Sequence, residues 1–233
     1  MSEPELAIVL PVYNEGEAVE PVLRGLAGAV RTPHELVVVY DFEGDTTVPV
    51  IQRLAPEIPG LRGLRNDLGR GVLNAMKAGI AATSAPYVLI SMADGSDEPA
   101  AVDPMVELAR GGADVVAASR YMRGGRQLGG PLLKRLMSRT AGLTLHWFAR
   151  VPTHDATSNF KLYSRRFLDS ITIESTAGFE LALELTVKAT RAGRRVAEVP
   201  TTWRDRTSGQ SNFKLRKWLP SYLHWYRVAF LGR

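Results

Sequence analysis

The 233-residue chain contains no cysteine, which removes disulfides, thiolate metal sites and cysteine nucleophiles from consideration together. No apolar run approaches the about 20 residues that a bilayer-crossing helix requires. Histidine is scarce: His34, His146, His154 and His224 are scattered, without zinc-ligand spacing. No P-loop, serine-hydrolase arrangement, internal repeat or low-complexity segment is present. The N-terminal Met1-Ser2-Glu3-Pro4-Glu5 is acidic where a secretory signal would be basic, so a cytoplasmic location is expected.

Hydrophobic residues make up 45% and charged residues 23%, the composition of a globular protein, and one large domain is the expected organisation. The net charge of +5 is small, but it is segregated. Acids fill much of the first half, whereas bases cluster from Arg120 to Arg139 and from Arg204 to Arg233. That asymmetry points to a polyanionic partner for the second half: phosphate, anionic lipid or nucleic acid.

In the first half, strand and helix patterns alternate. Strands are predicted at Leu6 to Leu10, Glu35 to Tyr40, Leu61 to Leu64, Tyr87 to Met92 and Ala113 to Ala118. Helices are predicted at Glu17 to Val30, Thr47 to Leu54, Gly71 to Ala82 and Val102 to Ala109. Short connections between alternating elements imply an α/β fold with a mostly parallel sheet and helices on both faces. Farther on, a loop containing Gly124, Gly125, Gly129 and Gly130, suited either to a mobile lid or to a plain connection, precedes a basic helix from Pro131 to Phe148.

Polar groups gather where these strands end. Strand one runs into Pro11-Val12-Tyr13-Asn14-Glu15, strand two into Asp41-Phe42-Glu43-Gly44-Asp45, and strand four into Asp94-Gly95-Ser96-Asp97. In a parallel sheet these ends converge on one crevice. Singly, Asn14, Asp45 and Asp97 read first as caps or turn residues; three such tips on one rim favour instead a site where a divalent cation, usually with phosphate, offsets the repulsion.

These residues carry a resemblance. The segments PVYNE (11–15), YDFEGDTT (40–47), GRGVLNAMKAG (69–79), MADGSDEP (92–99), SRYMRGG (119–125), DATSNFKLYSRR (155–166), EVP (198–200) and RTSGQS (206–211) stand in the order and spacing of family 2 glycosyltransferases of the Rossmann-like GT-A fold. The chain most resembles the dolichyl-phosphate mannosyltransferase, or polyprenyl-phosphate glycosyltransferase, branch. The resemblance implies a nucleotide-sugar donor held at Pro11, Tyr13, Asn14, Glu15, Asp41 and Arg70, with Asp94 on the metal at the diphosphate. It departs from the family at Met92-Ala93-Asp94, where relatives carry a DxD triplet, so Mg²⁺ or Mn²⁺ would rest on Asp94, Ser96 and Asp97. It departs again at Gly209-Gln210-Ser211-Asn212-Phe213-Lys214, where relatives show GxSK and Lys214 is the remaining base.

A polyprenyl phosphate acceptor is already anionic and needs cations to position it, not a base. Resemblance assigns Arg120, Lys134, Ser138 and Arg206 to that phosphate, with Arg135 sharing the role of Lys134. One displacement would invert the anomeric carbon. The catalytic set is then Asp94 and Arg120, with Asp155 as general base if the acceptor were instead a soluble hydroxyl. Met92 in place of an acid keeps open a non-catalytic sugar-nucleotide-binding module. Glu180 and Glu184 share a helix face, a pattern commonly solvated or salt-bridged.

The domain is expected to span residues 1–212, followed by an amphipathic helical tail at 213–233. Trp218, Tyr222 and Trp225 fall at helical spacing with Lys217 and Arg227 beside them, which suits a membrane interface and equally suits packing on the domain's own core. Pro220 would start a second short helix there. Nucleic acid is not an expected partner, since no RNA-binding fingerprint accompanies these aromatics.

Overall fold

The computed structural model describes residues 3–205 and 215–231, and within them the side chains of all but Lys134 and residues 215–218. Seven strands form the main sheet: β1 (Leu6–Pro11), β2 (His34–Tyr40), β3 (Leu61–Arg65), β4 (Tyr87–Ile90), β5 (Val115–Ser119), β7 (Lys161–Ser164) and β8 (Val196–Pro200), in the order β3-β2-β1-β4-β7-β5-β8. All neighbours are parallel except β7, which runs antiparallel to both β4 and β5. Two short strands, β6 (Arg126–Leu128) and β9 (Thr202–Arg204), pair separately.

Strand β1, sequence LAIVLP, is buried at every position, as a central strand covered on both faces must be. Its alternation sorts the core. Leu6, Ile8 and Leu10 join Leu23 and Leu26 of α1 (Val19–Ala29), Ile51 of α2 (Val48–Leu54) and Met105 of α4 (Val102–Arg110). Val9, with Val37 and Val39, faces the other way onto Leu73 and Met76 of α3 (Val72–Ala81), Phe167 of the short α6 (Arg165–Leu168), and Leu181 and Leu185 of α7 (Leu181–Arg191). Gly79 lets α3 lie close on the sheet: a Cβ there would collide with Val9 and come within 3.1 Å of Val39 Cγ2.

A third cluster joins α5 (Leu132–Phe148), α7 and α8 (Leu215–Leu231) through Leu145, Val151, Leu183, Val187 and Trp225. Trp225 is buried, so this part of the tail's aromatic stripe packs on the body of the protein. Helix α8 runs unbroken through Pro220, where the sequence pattern predicts a new start; the proline stands in the second turn, where it removes a single ladder bond. Trp218 and Lys217 belong to the residues without described side chains.

The predicted elements of the first half are present, with shifted ends. Strand β4 stops at Ile90, two residues early, because the Met92 N–H turns to Asp97 Oδ2 at 3.2 Å. Residues 16–18 form a 3₁₀ turn ahead of α1. Strands β6, β7, β8 and β9 have no counterpart in the predicted set. Because β7 is antiparallel, the loop that precedes it, residues 155–160, lies at the edge where β4 and β5 end.

Candidate active site

A cavity of about 580 Å³ opens at that edge. It is lined by Asp94, Ser96 and Asp97 from the β4 tip and also by Arg120, at the end of β5, and Ser138 of α5, with Asp97 near enough to Arg120 for their charges to interact. Thr157 to Phe160 contribute from the loop before β7, and Trp203, Leu219 and Tyr222 close the space from the C-terminal segment.

Tight turns shape the acidic side. Asp94 Oδ1 accepts the Ser96 N–H at 3.1 Å, and Gly95 adopts a positive φ of 70° between them. Asp97 Oδ2 accepts the Met92 N–H and, at 3.3 Å, the Ser91 hydroxyl. Burial and then the nearby Asp94 charge push the Asp97 carboxyl up to about 7, which the two hydrogen bonds only partly oppose. Two carboxylates that repel in a cavity fit a hard cation. Among the described residues no cluster of three or more acids or histidines surrounds such an ion, so a bound substrate would have to supply further ligands.

The cationic side is built around one buried ion pair. Arg120 Nε and Nη2 donate to Asp155 Oδ2 and Oδ1 at 2.7 and 2.9 Å, and Nη2 also donates to Ser138 Oγ at 3.0 Å. Ser138 Oγ is in turn 2.9 Å from Thr157 Oγ1. The Arg120 side chain is 12% exposed and that of Asp155 is 0%. Burial alone would raise the Asp155 carboxyl, but the Arg120 charge and hydrogen bonds outweigh it and hold it below the usual range. So held, Asp155 is a clamp on Arg120 and a poor proton acceptor.

Behind the clamp lies Lys161, fully buried on β7, a residue to which the sequence analysis assigns no role. Its Nζ donates to the carbonyl oxygens of Asp155 at 2.9 Å, Ala156 at 3.2 Å and Ser158, tying the loop around one ammonium. Burial pushes its pKa down to about 7, against the pull of Asp155. The signal in the sequence is a lone lysine between Phe160 and Leu162 in an apolar strand.

Of the residues assigned to the nucleotide-sugar, Asp94 lines the cavity, whereas the others lie along the same edge outside it. Pro11 is buried at the end of β1. Asn14, at φ 54°, donates its N–H to Asp45 Oδ2 at 3.0 Å and accepts the Thr46 N–H at 3.2 Å. Glu15 donates its N–H to Thr47 Oγ1 at 3.1 Å. Asp41 accepts from Asn66 Nδ2 and from the Gly71 N–H, both at 2.8 Å, fixing the loop after β3. Tyr13, 52% exposed, meets Phe42 edge-on at 6.0 Å, and the Arg70 guanidinium lies 4.9 Å over the same Phe42 ring. Phe42, a flat apolar surface between an aromatic and a cation, is a second residue without a role in the sequence analysis.

Arg135 is half-buried on α5 and does not line the cavity. Lys134 lies on the same helix without a described side chain, and Arg206 and Lys214 lie outside the described residues. Glu180 and Glu184 are buried instead of solvated. Glu180 accepts the N–H groups of Ala177 and Gly178; Glu184 accepts those of Glu174 and Ser175 and pairs with Lys188 at 2.8 Å. They brace the loop that leads to Phe179 of the cavity wall.

Sheet order, the reversed β7 and the ligand edge at the strand tips are those of a GT-A glycosyltransferase fold. The chain belongs to glycosyl transferase family 2, whose model matches residues 7–172, and is thus a glycosyltransferase. Curated relatives include a dolichol-phosphate mannosyltransferase of Pyrococcus furiosus, 25% identical over 96% of this chain and 63% of its own length. A polyprenol monophosphomannose synthase of Mycolicibacterium smegmatis is 28% identical, covering 91% of this chain and 85% of that protein. An undecaprenyl-phosphate mannosyltransferase of Micrococcus luteus is 29% identical over 87% and 85%. The chain therefore spans less than two thirds of the Pyrococcus protein. Among solved structures, glucosyl-3-phosphoglycerate synthase from Mycobacterium tuberculosis, in complex with Mn²⁺, uridine diphosphate and phosphoglyceric acid, superposes with a TM-score of 0.69 at 20% identity, over 98% of this chain and 78% of that one.

Proposed function

We propose that this glycosyltransferase moves a sugar from a nucleotide-sugar donor onto a polyprenyl phosphate with inversion at the anomeric carbon. The observation that carries the reading is that Asp94 and Asp97 line the same cavity as Arg120 and Ser138. An acid-lined side suits a cation-bridged diphosphate; a buried, oriented guanidinium suits an attacking anion.

Asp94 and Asp97 would hold Mg²⁺ or Mn²⁺, which when bound offsets the charge of the departing nucleoside diphosphate. The remaining work falls to the chain. Tyr13, Phe42 and Arg70 would offer a stacking slot for the base, and the loops fixed by Asn14 and Asp41 would set its position. Arg120, locked by Asp155, would hold the acceptor phosphate in line with the sugar carbon. That phosphate needs no proton removed at neutral pH. The names of the curated relatives support the acceptor class.

A second reading, transfer to a soluble acceptor, is favoured by the fold-level likeness to the phosphoglycerate enzyme. The test incubates the protein with a panel of nucleotide sugars and Mn²⁺, with no acceptor, with a short-chain polyprenyl phosphate, or with phosphoglyceric acid, and measures nucleoside diphosphate release. Release that depends on the polyprenyl phosphate is expected. Release driven only by the soluble acid would select the second reading, and nucleotide binding without release under any condition would indicate a binding module.

A further inference from the structure

Helix α5 turns one face to the cavity, through Met137, Ser138 and Ala141. Its opposite face is apolar and, among the described residues, largely uncovered, with Leu143 half-buried. At 100° per residue, Leu132, Leu136, Leu143 and Trp147 fall within a stripe about 60° wide and roughly 22 Å long. Leu132 is 70% exposed, Leu136 63% and Trp147 69%. Leucine and tryptophan aligned on solvent in this way mark a surface that meets something.

Charge selects the occupant. Residues 115–154 hold seven bases and no acid, and Arg135 and Arg139 stand along the edge of the stripe. Two copies of such a face would bring like charges together, which disfavours self-association. A surface that is apolar within and negative at its boundary would accept both features, and tryptophan suits the boundary itself. The neighbouring helix agrees. The cavity touches the early turns of both α5 and α8, and the Tyr226 hydroxyl donates to Thr144 Oγ1 at 2.9 Å farther along, so the two run in the same direction. Leu219 and Leu223 of α8 are partly exposed, and Leu219 also lines the cavity.

We propose that the outer stripe of α5, with Arg135 and Arg139, is the face by which the protein lies on an anionic lipid bilayer. Trp225 and Tyr222 of the tail turn inward and take no part in that face. It deepens the polyprenyl-phosphate reading by bringing the cavity beside the lipid surface, and it is tested without any acceptor.

The full chain is sedimented with vesicles of phosphatidylcholine alone or mixed with phosphatidylglycerol. Binding to the mixed vesicles is expected, with a roughly tenfold loss in Leu132→Ser/Leu136→Ser and a severalfold loss in Arg139→Gln. Since the chain has no cysteine, Leu136→Cys accepts a single environment-sensitive dye, whose emission should shift to the blue with mixed vesicles while a dye at Glu57→Cys should not. Wild-type protein that stays in the supernatant, serine variants that bind undiminished, or a stable dimer shielding position 136 without vesicle binding would overturn the proposal. Transfer to a short-chain acceptor in detergent should be unchanged in Leu132→Ser/Leu136→Ser. Failed vesicle binding with intact transfer sinks this inference alone, whereas absent transfer with intact vesicle binding sinks the functional reading alone.

Discussion

Arg120 and Asp155 meet side-on, through bonds of 2.7 and 2.9 Å, with the carboxylate wholly buried and the guanidinium at the cavity wall. The pair makes Asp155 a fixture of Arg120, and the two should therefore fail together. Arg120→Ala and Asp155→Asn are each expected to lower transfer to polyprenyl phosphate by roughly a hundredfold while changing nucleoside diphosphate affinity by less than about threefold. Steady-state kinetics and calorimetry check this. Arg120→Ala that leaves transfer intact while Asp155→Asn abolishes it would restore Asp155 as a base and favour a hydroxyl acceptor.

Lys161 reaches the same clamp from behind. Replacing it by methionine keeps much of the volume but removes the ammonium from three carbonyl oxygens, leaving buried acceptors unpaired. Lys161→Met should lose about 2 kcal/mol or more in urea unfolding and raise the acceptor KM, with partial recovery in Lys161→Arg.

At the acidic side, the raised Asp97 pKa sets a direction with pH. The carboxyl is protonated below about 7 in the absence of a cation, so cation binding there must expel a proton. Donor binding in Mn²⁺ should tighten as pH rises from 6 to 8 and level off above, and EDTA should abolish the pH dependence together with the binding. Asp97→Asn should flatten the profile. The same shift works against the folded state: stability from this group is present below pH 4 and lost as pH rises through 7, so thermal stabilisation by Mn²⁺ with nucleotide should be larger at pH 8 than at pH 6.

Away from the cavity, Asp103 straps α4 to the turn after α1. It accepts the N–H groups of Arg31 and Thr32 and the Thr32 hydroxyl; although burial would raise its carboxyl, these bonds bring it down to about 2. A depressed carboxylate contributes stability above its unfolded pKa and loses it as pH falls through the folded value. Roughly 2 kcal/mol should disappear between about pH 4 and pH 2, and Asp103→Asn should lack that acid-dependent component in denaturant titrations.

Gly142 offers a geometric test. A Cβ at this position would land on the carbonyl oxygen of His154, next to Asp155. Backbone cannot yield as a flexible side chain would, so Gly142→Ala should push α5 off the clamp and lower both melting temperature and transfer, even though residue 142 does not line the cavity.

The sequence made local order legible and long-range pairing illegible. Strand β1 reads directly from six apolar residues, and the strand tips reveal where acids collect. The reversed β7 does not, because four residues such as Lys161–Ser164 carry no mark of direction. Arg120 and Asp155 are 35 residues apart, so each invites a separate role until the sheet brings them together. Helical spacing in the tail identifies a stripe without saying which way it faces; packing on Leu183 and Val187 decides it for Trp225. The rim residues are fixed by turn chemistry visible in sequence, whereas the stacking of Arg70 on Phe42 depends on two loops meeting.

The family model ends at residue 172, yet Phe179, Trp203, Leu219 and Tyr222 close the cavity from beyond it. Arg120 and Ser138, placed at the acceptor phosphate, lie within residues 7–172 beside Asp94 and Asp97, so the later stretch completes the cavity wall without supplying its charged groups among the residues named. On the proposed reading those four side chains would flank the acceptor's hydrocarbon, and chimaeras joined near residue 172 would change acceptor preference while leaving Asp94, Asp97 and Arg120 in place.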